Sequence, residues 1–456
     1  SYEEHGTLST AAALHGPLHK FRDSDTLPEP DIRVRNFRVL SVDTVKDPDL
    51  YCVIDAIEEI VPKNIDIQAY NLSLGPDGPI MDDHISRFTY ACDILSKNHN
   101  VLFHVAVGND GEMGERHNRI QSPADMVNGL AIAAYTIIDG KPEAAPYSCK
   151  GPGREGNKMK PDISALGGCD RFPLQLVAPT DGYRAYTSGT SFSAPQGTAF
   201  SGKLIGGSAG IINALTARLL VTHHSRGAGG KGHCKELGHG LLPDDVNAMM
   251  NCGQKSYTLI YEGDVEESKY REFEIPWIPE INTGKVKFQW TVVVQSVVNE
   301  NSPEDYTSSS VEIGFYPNSR KFSFSHKDVK SPIQLDVDEN TQKVQELIDA
   351  GWIQSKTPVS GNGQKQFLSE GDLRDDLKWD TVDVREKTMM AAGIKKPLFQ
   401  VHAIGRGKGR AANKVKFAVA LTVETPKADV DIYQRVRATY EALLPINMDI
   451  QNQIKV

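Results

Sequence analysis

A serine in a distinctive turn gives this chain of 456 residues its clearest chemical signal. Segment 187–195 reads Thr-Ser-Gly-Thr-Ser-Phe-Ser-Ala-Pro and leads into an apolar run of helical spacing. A serine at the start of a helix lies at its positive end, where backbone N–H groups can receive an oxyanion. Pro195 is expected in the first turn of that helix, where its missing N–H has no partner. Ser191 could therefore take part in chemistry at this helix end, and a simple helix cap is the alternative.

A histidine and an asparagine precede this serine in the chain. His5-Gly6-Thr7 is followed by small residues, so a helix that begins near His5 can pack closely on a sheet. Asn109 follows Gly108 at the end of a buried-strand pattern. Gly-Asn is also a common turn, and an isolated histidine is often a surface residue. Neither residue is decisive alone, so the prediction of a functional site depends on the order of the three motifs along the chain.

Several segments resemble the motifs of the subtilisin-like serine proteases, the subtilases. Segment 187–195 resembles their nucleophile motif, and residues 5–7 resemble their histidine motif. The Asn-x-Ser-Leu-Gly stretch at 71–75 and the Gly-Asn pair at 108–109 also match in order. The remaining matches are residues 122–124, 147–153 and 160–168. The resemblance implies a serine endopeptidase in which Ser191 is the nucleophile, His5 the general base and Asn109 an oxyanion donor.

The same resemblance implies a substrate cleft. Ser73, Leu74 and Gly75 would form one wall, and their backbone would pair with an extended peptide as an added strand. The peptide would lie between this wall and a facing strand. Ala106, Val107 and Gly108, with Phe192, would form a second wall, that of the first specificity pocket. A peptide or protein is therefore the expected substrate.

The aspartate of the catalytic triad has no clear position in the sequence. Subtilases carry it upstream of the histidine, yet Glu3 and Glu4 are too close to His5 along the chain to play that part. We expect the aspartate in a segment that precedes Ser1, either cleaved off or present in a separate chain. Asp43 is an alternative, because it follows a strand-like run at 38–42. A degenerate protein without the aspartate is another.

The apolar patterns predict two domains. Residues 1–253 alternate buried strands with helical patterns, which favours an α/β fold with a parallel sheet and helices on both faces, in three layers. Residues 254–456 change to strict period-two alternation, as at 286–294 and 415–423, which is typical of half-buried antiparallel strands. A mostly β domain, of the sandwich or jelly-roll kind, is therefore expected there. Helices are predicted at 342–353 and 429–444.

Composition narrows the classes of partner and cofactor. A net charge of −9 argues against nucleic acid as the main partner. No run of 18 apolar residues is present, so we expect no membrane partner. Six scattered cysteines favour free thiols in a reducing, cytoplasmic compartment. No cofactor is predicted. Calcium stabilises many subtilases, but no ligand loop stands out.

Two other readings of the sequence stay open. His233, Cys234 and His239 could bind zinc, although residues 238–242 better resemble the stretch that closes subtilase catalytic domains. The chain as a whole could be a catalytically silent scaffold that binds peptides or a protein partner. It could also be a protease that is latent until a partner or a processing event completes its triad.

Overall fold

A computed structural model describes residues 2–40, 47–180, 182–225, 233–356, 358–359, 368–406, 414–446 and 448. Asp43, the alternative triad aspartate, lies outside these residues. The helices of the described chain are α1 (Tyr2–Leu14), α2 (Tyr51–Lys63), α3 (Arg87–His99), α4 (Thr190–Gly207), α5 (Ala214–His224), α6 (Val246–Met250), α7 (Thr341–Asp349), α8 (Glu370–Asp375) and α9 (Ile432–Thr439).

The strands of the first half build the layer that carries the site motifs. They are β1 (Ala69–Leu72), β2 (Leu102–Ala106), β3 (Leu130–Ile138), β4 (Lys141–Ala144), β5 (Ile163–Leu166), β6 (Leu174–Val177) and β7 (Arg184–Thr187). The strands of the second half are β8 (Ser256–Glu266), β9 (Tyr270–Glu274), β10 (Lys285–Gln295), β11 (Ser309–Tyr316), β12 (Lys321–His326), β13 (Val329–Asp336), β14 (Ile353–Ser355), β15 (Val382–Met390), β16 (Leu398–Gly405) and β17 (Lys414–Glu424).

A five-stranded sheet forms the centre of the first half. Strands β1, β2, β3 and β5 run parallel, and β4 turns back antiparallel along β3. Apolar side chains leave both faces of the sheet, because helices cover both. In β2, Phe103 and Val105 pack among side chains of α2 and α3, whereas Leu102 packs among side chains of α4 and α5. This arrangement confirms the predicted three-layer α/β fold.

The carboxyl ends of β1 and β2 bring two predicted walls together. The strands are parallel neighbours, and Leu72 pairs with Val105 near their ends. Residues 73–75 and 106–108 therefore leave the same edge of the sheet side by side. Helix α4 packs across β1, β2, β3 and β5, so its first turn can approach this edge.

A β-sandwich forms the second half. The four-stranded antiparallel sheet β15-β10-β17-β8 lies over the three-stranded antiparallel sheet β11-β16-β9. Between them lies an apolar core that includes Trp290, Phe315, Phe399 and Phe417. A third small sheet, β13-β12-β14, accompanies α7. The strict alternation in β10 and β17 thus reports the face that points into this core, and the predicted β-rich fold is confirmed.

The outer face of the four-stranded sheet packs on α5. Leu215 and Leu219 of α5 contact Val293 and Ala420 of the sheet. His223 lies deeper in the same interface. Its Nδ1 hydrogen-bonds to Oγ1 of Thr291 at 2.9 Å, and its Nε2 to Oγ1 of Thr422 at 2.8 Å. One helix therefore packs on both the parallel sheet and the sandwich.

Two local expectations differ from the structure. Residues 38–40, the described part of the strand-like run before Asp43, have no strand structure. Helix α9 begins at Ile432 rather than 429, because the side chain of Asp431 accepts a hydrogen bond from the N–H of Gln434 and caps the helix. The boundary at 253/254 falls between α6 and β8, and the division into two domains there stays a prediction.

Candidate active site

Ser191 is the second residue of α4, and a glycine turn delivers it there. Strand β7 ends at Thr187, and Gly189 immediately precedes the helix with φ of +151°. Side chains other than glycine rarely adopt this backbone region, so the turn requires Gly189. The result is a serine in the first turn of a helix, at the positive end of the helix dipole.

Pro195 has a different role from the one expected. It is the sixth residue of α4, beyond the first turn, so its missing N–H leaves one helix carbonyl without a partner. That carbonyl belongs to Ser191, four residues earlier. The hydroxyl of Ser73 donates a hydrogen bond to it at 2.7 Å, and Nδ2 of Asn71 donates in turn to the Ser73 hydroxyl at 3.0 Å. The predicted substrate wall is thus tied directly to the predicted nucleophile.

His5 reaches the same turn from α1. Its ring centroid lies 5.5 Å from that of Phe192, the residue after Ser191. Close packing of α1 is possible because its contact face carries small residues, Ala11 and Ala12, which are buried. Phe192 is itself only 6% exposed and joins this cluster, where its ring contacts His5.

The imidazole of His5 is half-buried, and burial lowers its pKa below the ordinary 6.5. A neutral ring at pH 7 suits a general base. Within the described residues, no hydrogen bond or ion pair joins His5 to a carboxylate. The structure therefore brings the predicted histidine to the serine turn.

Asn109 is held by the residue before Ser191. Its Oδ1 accepts from the N–H of Thr190 at 3.0 Å and from the Thr190 hydroxyl at 2.9 Å. Because both partners donate, the amide nitrogen must take the other side of the side chain. A Cβ built on Gly189 would lie 3.9 Å from that nitrogen. The amide N–H groups thus point towards the glycine turn, and Asn109 is exposed there.

Tyr147 is a residue of this site that the sequence did not single out. Its hydroxyl accepts from the N–H of Gly189 at 2.9 Å and donates to the carbonyl of Gly168 at 3.0 Å. Burial raises its pKa, so the phenol keeps its proton. The subtilase turn that residues 147–153 resemble begins with Phe, and only the additional hydroxyl allows this contact. The replacement of that Phe by Tyr147 was the one sign in the sequence that could have pointed to this contact.

The two predicted walls differ in their free hydrogen-bonding groups. No backbone group of Ser73, Leu74 or Gly75 is bonded to another backbone group of the described chain. In contrast, the carbonyl of Val107 accepts from the N–H of Gln121 at 3.0 Å, and that of Gly108 from the N–H of Cys149 at 3.1 Å. The backbone groups of residues 73–75 are therefore not occupied by the described chain, as pairing with an extended peptide would require. The carbonyls of residues 107 and 108 are already bonded within the protein and could only line a cleft.

The described residues contain no group of three or more His, Cys, Asp or Glu side chains placed to hold a metal ion. His233 and His239 lie ring to ring at 5.1 Å, and Nε2 of His233 is bonded to the carbonyl of Pro161 at 3.0 Å. A cavity of about 430 Å³ lies between α6 and α9, and Ser191 does not line it. Neither feature contributes to the serine turn.

The similarity to a known protein family lies in the first half of the chain, which carries these site residues. A model of the subtilase family, peptidase S8, matches residues 1–240. The chain belongs to the subtilase family. The match ends before β8, so the β-sandwich of this subtilase lies beyond it. No curated protein sequence matches the chain.

Among solved structures, this subtilase is similar to the S41 psychrophilic protease, with 24% identity, a TM-score of 0.35, and coverage of 43% of this chain and 64% of that one. Sphericase shows 19% identity and a TM-score of 0.34, with 42% and 63% covered. A lanthipeptide protease shows 16% identity and a TM-score of 0.39, with 52% and 73% covered. The chain spans less than two thirds of the length of the first two proteins.

The family whose model matches residues 1–240 is a family of peptidases. No helix in the described part of the chain is both long and apolar enough to span a membrane.

Proposed function

We propose that this subtilase is a serine endopeptidase that cleaves peptide bonds through an acyl-enzyme. Ser191 attacks the scissile carbonyl, and His5 takes its proton and later gives it to the leaving amine. Asn109 and the N–H of Ser191 stabilise the oxyanion. One observation carries the proposal: Thr190 and Phe192, the two neighbours of Ser191, contact Asn109 and His5 respectively.

The substrate would bind as an added strand along Ser73, Leu74 and Gly75. Their backbone groups are unpaired within the described chain, and the Ser73 hydroxyl is bonded to the carbonyl of Ser191. A peptide that pairs with this edge would therefore be held next to the nucleophile. Ala106, Val107 and Gly108 would form the wall of the first specificity pocket. The chemistry uses protein side chains alone and needs no cofactor.

The acid that orients His5 would come from outside the described residues. We infer that it is an aspartate in a segment preceding Ser1, from the same chain or a separate one, with Asp43 as the alternative. A carboxylate in this position fixes the tautomer of the histidine and stabilises its charged form. Loss of such a group costs about 10⁴ in turnover in a serine triad.

A second candidate function is a latent protease, or a scaffold that never cuts. The absence of a carboxylate bonded to His5 among the described residues favours latency. Completion of the triad by a partner or a processing event would then switch activity on. All six cysteines are unpaired thiols, which supports a reducing compartment such as the cytoplasm.

A fluorophosphonate probe separates these functions. The probe reacts with an activated serine, so a competent site should be labelled at Ser191, and Ser191→Ala should abolish the labelling. The preparation should carry any sequence encoded before Ser1, and the 456-residue chain serves as its comparison. Labelling only of the longer chain would identify a latent or incomplete site. Absence of labelling in both would remove the peptidase proposal and favour the scaffold.

A further inference from the structure

Tyr147 is bonded both to the loop that carries the proposed oxyanion donor and to the turn that carries the proposed nucleophile. Its backbone carbonyl accepts a hydrogen bond from the N–H of Gly111 at 2.7 Å, two residues after Asn109. Its hydroxyl accepts from the N–H of Gly189 at 2.9 Å, two residues before Ser191. One residue therefore spans the distance between the loop of Asn109 and the turn of Ser191.

The backbone end of this bridge is closely packed. A Cβ built on Gly111 would lie 2.2 Å from the carbonyl oxygen of Ser148 and 2.7 Å from that of Pro146. Both distances are shorter than real Cβ contacts, so Gly111 rests directly on the backbone on either side of Tyr147. The loop of Asn109 is therefore held against the segment that carries Tyr147.

The hydroxyl end of the bridge lies between two backbone turns. The Tyr147 hydroxyl donates to the carbonyl of Gly168 at 3.0 Å. A Cβ built on Gly167 would lie 2.6 Å from the phenol oxygen, so the hydroxyl fills the space beside that glycine. The N–H of Gly189 also donates to the carbonyl of Gly167 at 3.1 Å, and it would keep this partner if the hydroxyl were removed. Loss of the hydroxyl would therefore weaken the bridge without leaving this N–H unpaired.

The direct contact between the loop and the turn depends on their separation. Oδ1 of Asn109 accepts from the N–H of Thr190 at 3.0 Å and from its hydroxyl at 2.9 Å, and Tyr147 is bonded on both sides of this contact. An oxyanion is stabilised only by donors that are already aimed at its position. A misplacement of about 1 Å at such a group costs about 10² in rate. The separation of the loop and the turn is therefore a quantity on which the proposed reaction depends.

We propose that the hydroxyl of Tyr147 is a positioning group for this subtilase, which holds the turn of Ser191 at the correct distance from Asn109. The inference rests on the proposed peptidase function. Tyr147 touches no reacting atom in this assignment and acts through its bond to Gly189. Phenylalanine, which begins the turn that residues 147–153 resemble, would keep the ring and lack the bridge.

Tyr147→Phe tests this proposal in the full chain. The readout is the reaction of Ser191 with a peptidyl diphenyl phosphonate that ends in alanine, whose phosphonyl oxygen must enter the oxyanion site. We expect the maximum rate to fall about tenfold and the half-saturating concentration to change less than about twofold, because the contacts that bind the peptide are untouched. Tyr257→Phe is the matched control, since it removes a buried hydroxyl that is bonded to the carbonyl of Pro276 within the β-sandwich. This control should react like the wild type.

An Asn109→Ala background shows whether the hydroxyl acts through Asn109. In that background, Tyr147→Phe should slow the reaction by less than about threefold, because the donor that it positions is already gone. A general loss of structure would slow the reaction equally in both backgrounds. The four rates therefore separate positioning from stability.

Three outcomes would overturn the proposal. The first is an unchanged maximum rate in Tyr147→Phe, and the second is an equal decrease in the wild-type and Asn109→Ala backgrounds. The third is a decrease in Tyr257→Phe as large as in Tyr147→Phe, which would assign the effect to stability. A small fluorophosphonate distinguishes these from failure of the proposed function. If it labels Ser191 of the wild type while one of these outcomes occurs, only the positioning proposal fails. If nothing labels Ser191, both fail.

Discussion

The hydroxyl of Ser73 donates a 2.7 Å hydrogen bond to the carbonyl of Ser191, 118 residues further along the chain. This bond exists because Pro195 cannot donate to that carbonyl, as a residue with an N–H would at the same place in a helix. Two features that look independent in the sequence, a serine after β1 and a proline in α4, are therefore one device. It fixes the turn of Ser191 against the edge where, in the proposed function, a peptide would bind.

A double-mutant cycle tests this device. Ser73→Ala should lower the free energy of unfolding by about 0.5–1.5 kcal/mol, because the carbonyl of Ser191 loses its donor. In a Pro195→Ala background the new N–H can pair with that carbonyl, so the same Ser73→Ala change should cost less. Urea unfolding of the four proteins measures both costs. Equal costs in the two backgrounds would show that Pro195 does not create the need for Ser73.

Replacement of Asn109 should affect the rate and not the binding of substrate. Asn109→Ala removes the amide that points towards the glycine turn, and we expect kcat to fall by about 10²–10³ with KM nearly unchanged. Thr190→Val keeps the amide and removes only the hydroxyl that holds it, so its decrease should be smaller. Steady-state cleavage of a peptide measures both. A rise in KM without a fall in kcat would assign Asn109 to ground-state binding.

The rate of Ser191 labelling should depend on pH through His5. Burial lowers the pKa of His5, so the base form persists to lower pH, and labelling of the 456-residue chain should decline with a midpoint below pH 6.5. A carboxylate beside the ring favours its charged form, so completion of the triad should move this midpoint upward. Fluorophosphonate labelling between pH 4 and 8 measures the shift. An unmoved midpoint on addition of the preceding segment would place the acid elsewhere.

Asp380 should make the protein less stable as pH rises. Burial raises its pKa from 3.8 to about 7, although the N–H of Met159 donates to its Oδ2 at 3.2 Å. Between these values the folded protein keeps a proton that the unfolded chain releases, so this group lowers the free energy of unfolding as pH rises. Asp380→Asn never ionises. Its stability relative to the wild type should therefore grow from pH 4 to pH 8, by up to about 4 kcal/mol.

Urea unfolding of Asp380→Asn and the wild type at pH 5 and pH 8 measures this difference. Asp383→Asn is a useful comparison, because Asp383 is ion-paired with Arg385. That variant loses the carboxylate charge that pairs with Arg385, and its stability relative to the wild type should not grow with pH. A gain for Asp380→Asn that is the same at both pH values would contradict the assignment.

The sequence predicted much of the fold because its apolar residues recur at regular spacings. Alternation in β10 and β17 follows from one face packing into the sandwich core, and the run at 101–107 is apolar throughout because helices cover both faces of β2. The run at 38–40 was misleading. Arg38 and the arginines before it are exposed, and no strand of the described chain pairs with these residues.

The finer parts of the site depend on contacts that no local pattern encodes. The hydroxyl of Tyr147 matters only because the N–H of Gly189 lies 2.9 Å away, 42 residues later. Gly75 and Gly108 can lie against residues 121 and 122 only because they carry no side chain at those contacts. Each of these contacts joins distant segments, so periodicity and motif order could not predict them.

The contact of α5 with the outer face of the sandwich has a consequence for how the chain unfolds. Leu215, Leu219 and His223 are buried against strands of the second half, while the same helix contributes to the core beside β2. Separating the halves would expose this face and leave a buried imidazole without its hydroxyl partners. The two halves should therefore melt in one cooperative transition, and a chain cut after residue 253 should aggregate instead of folding as a smaller domain.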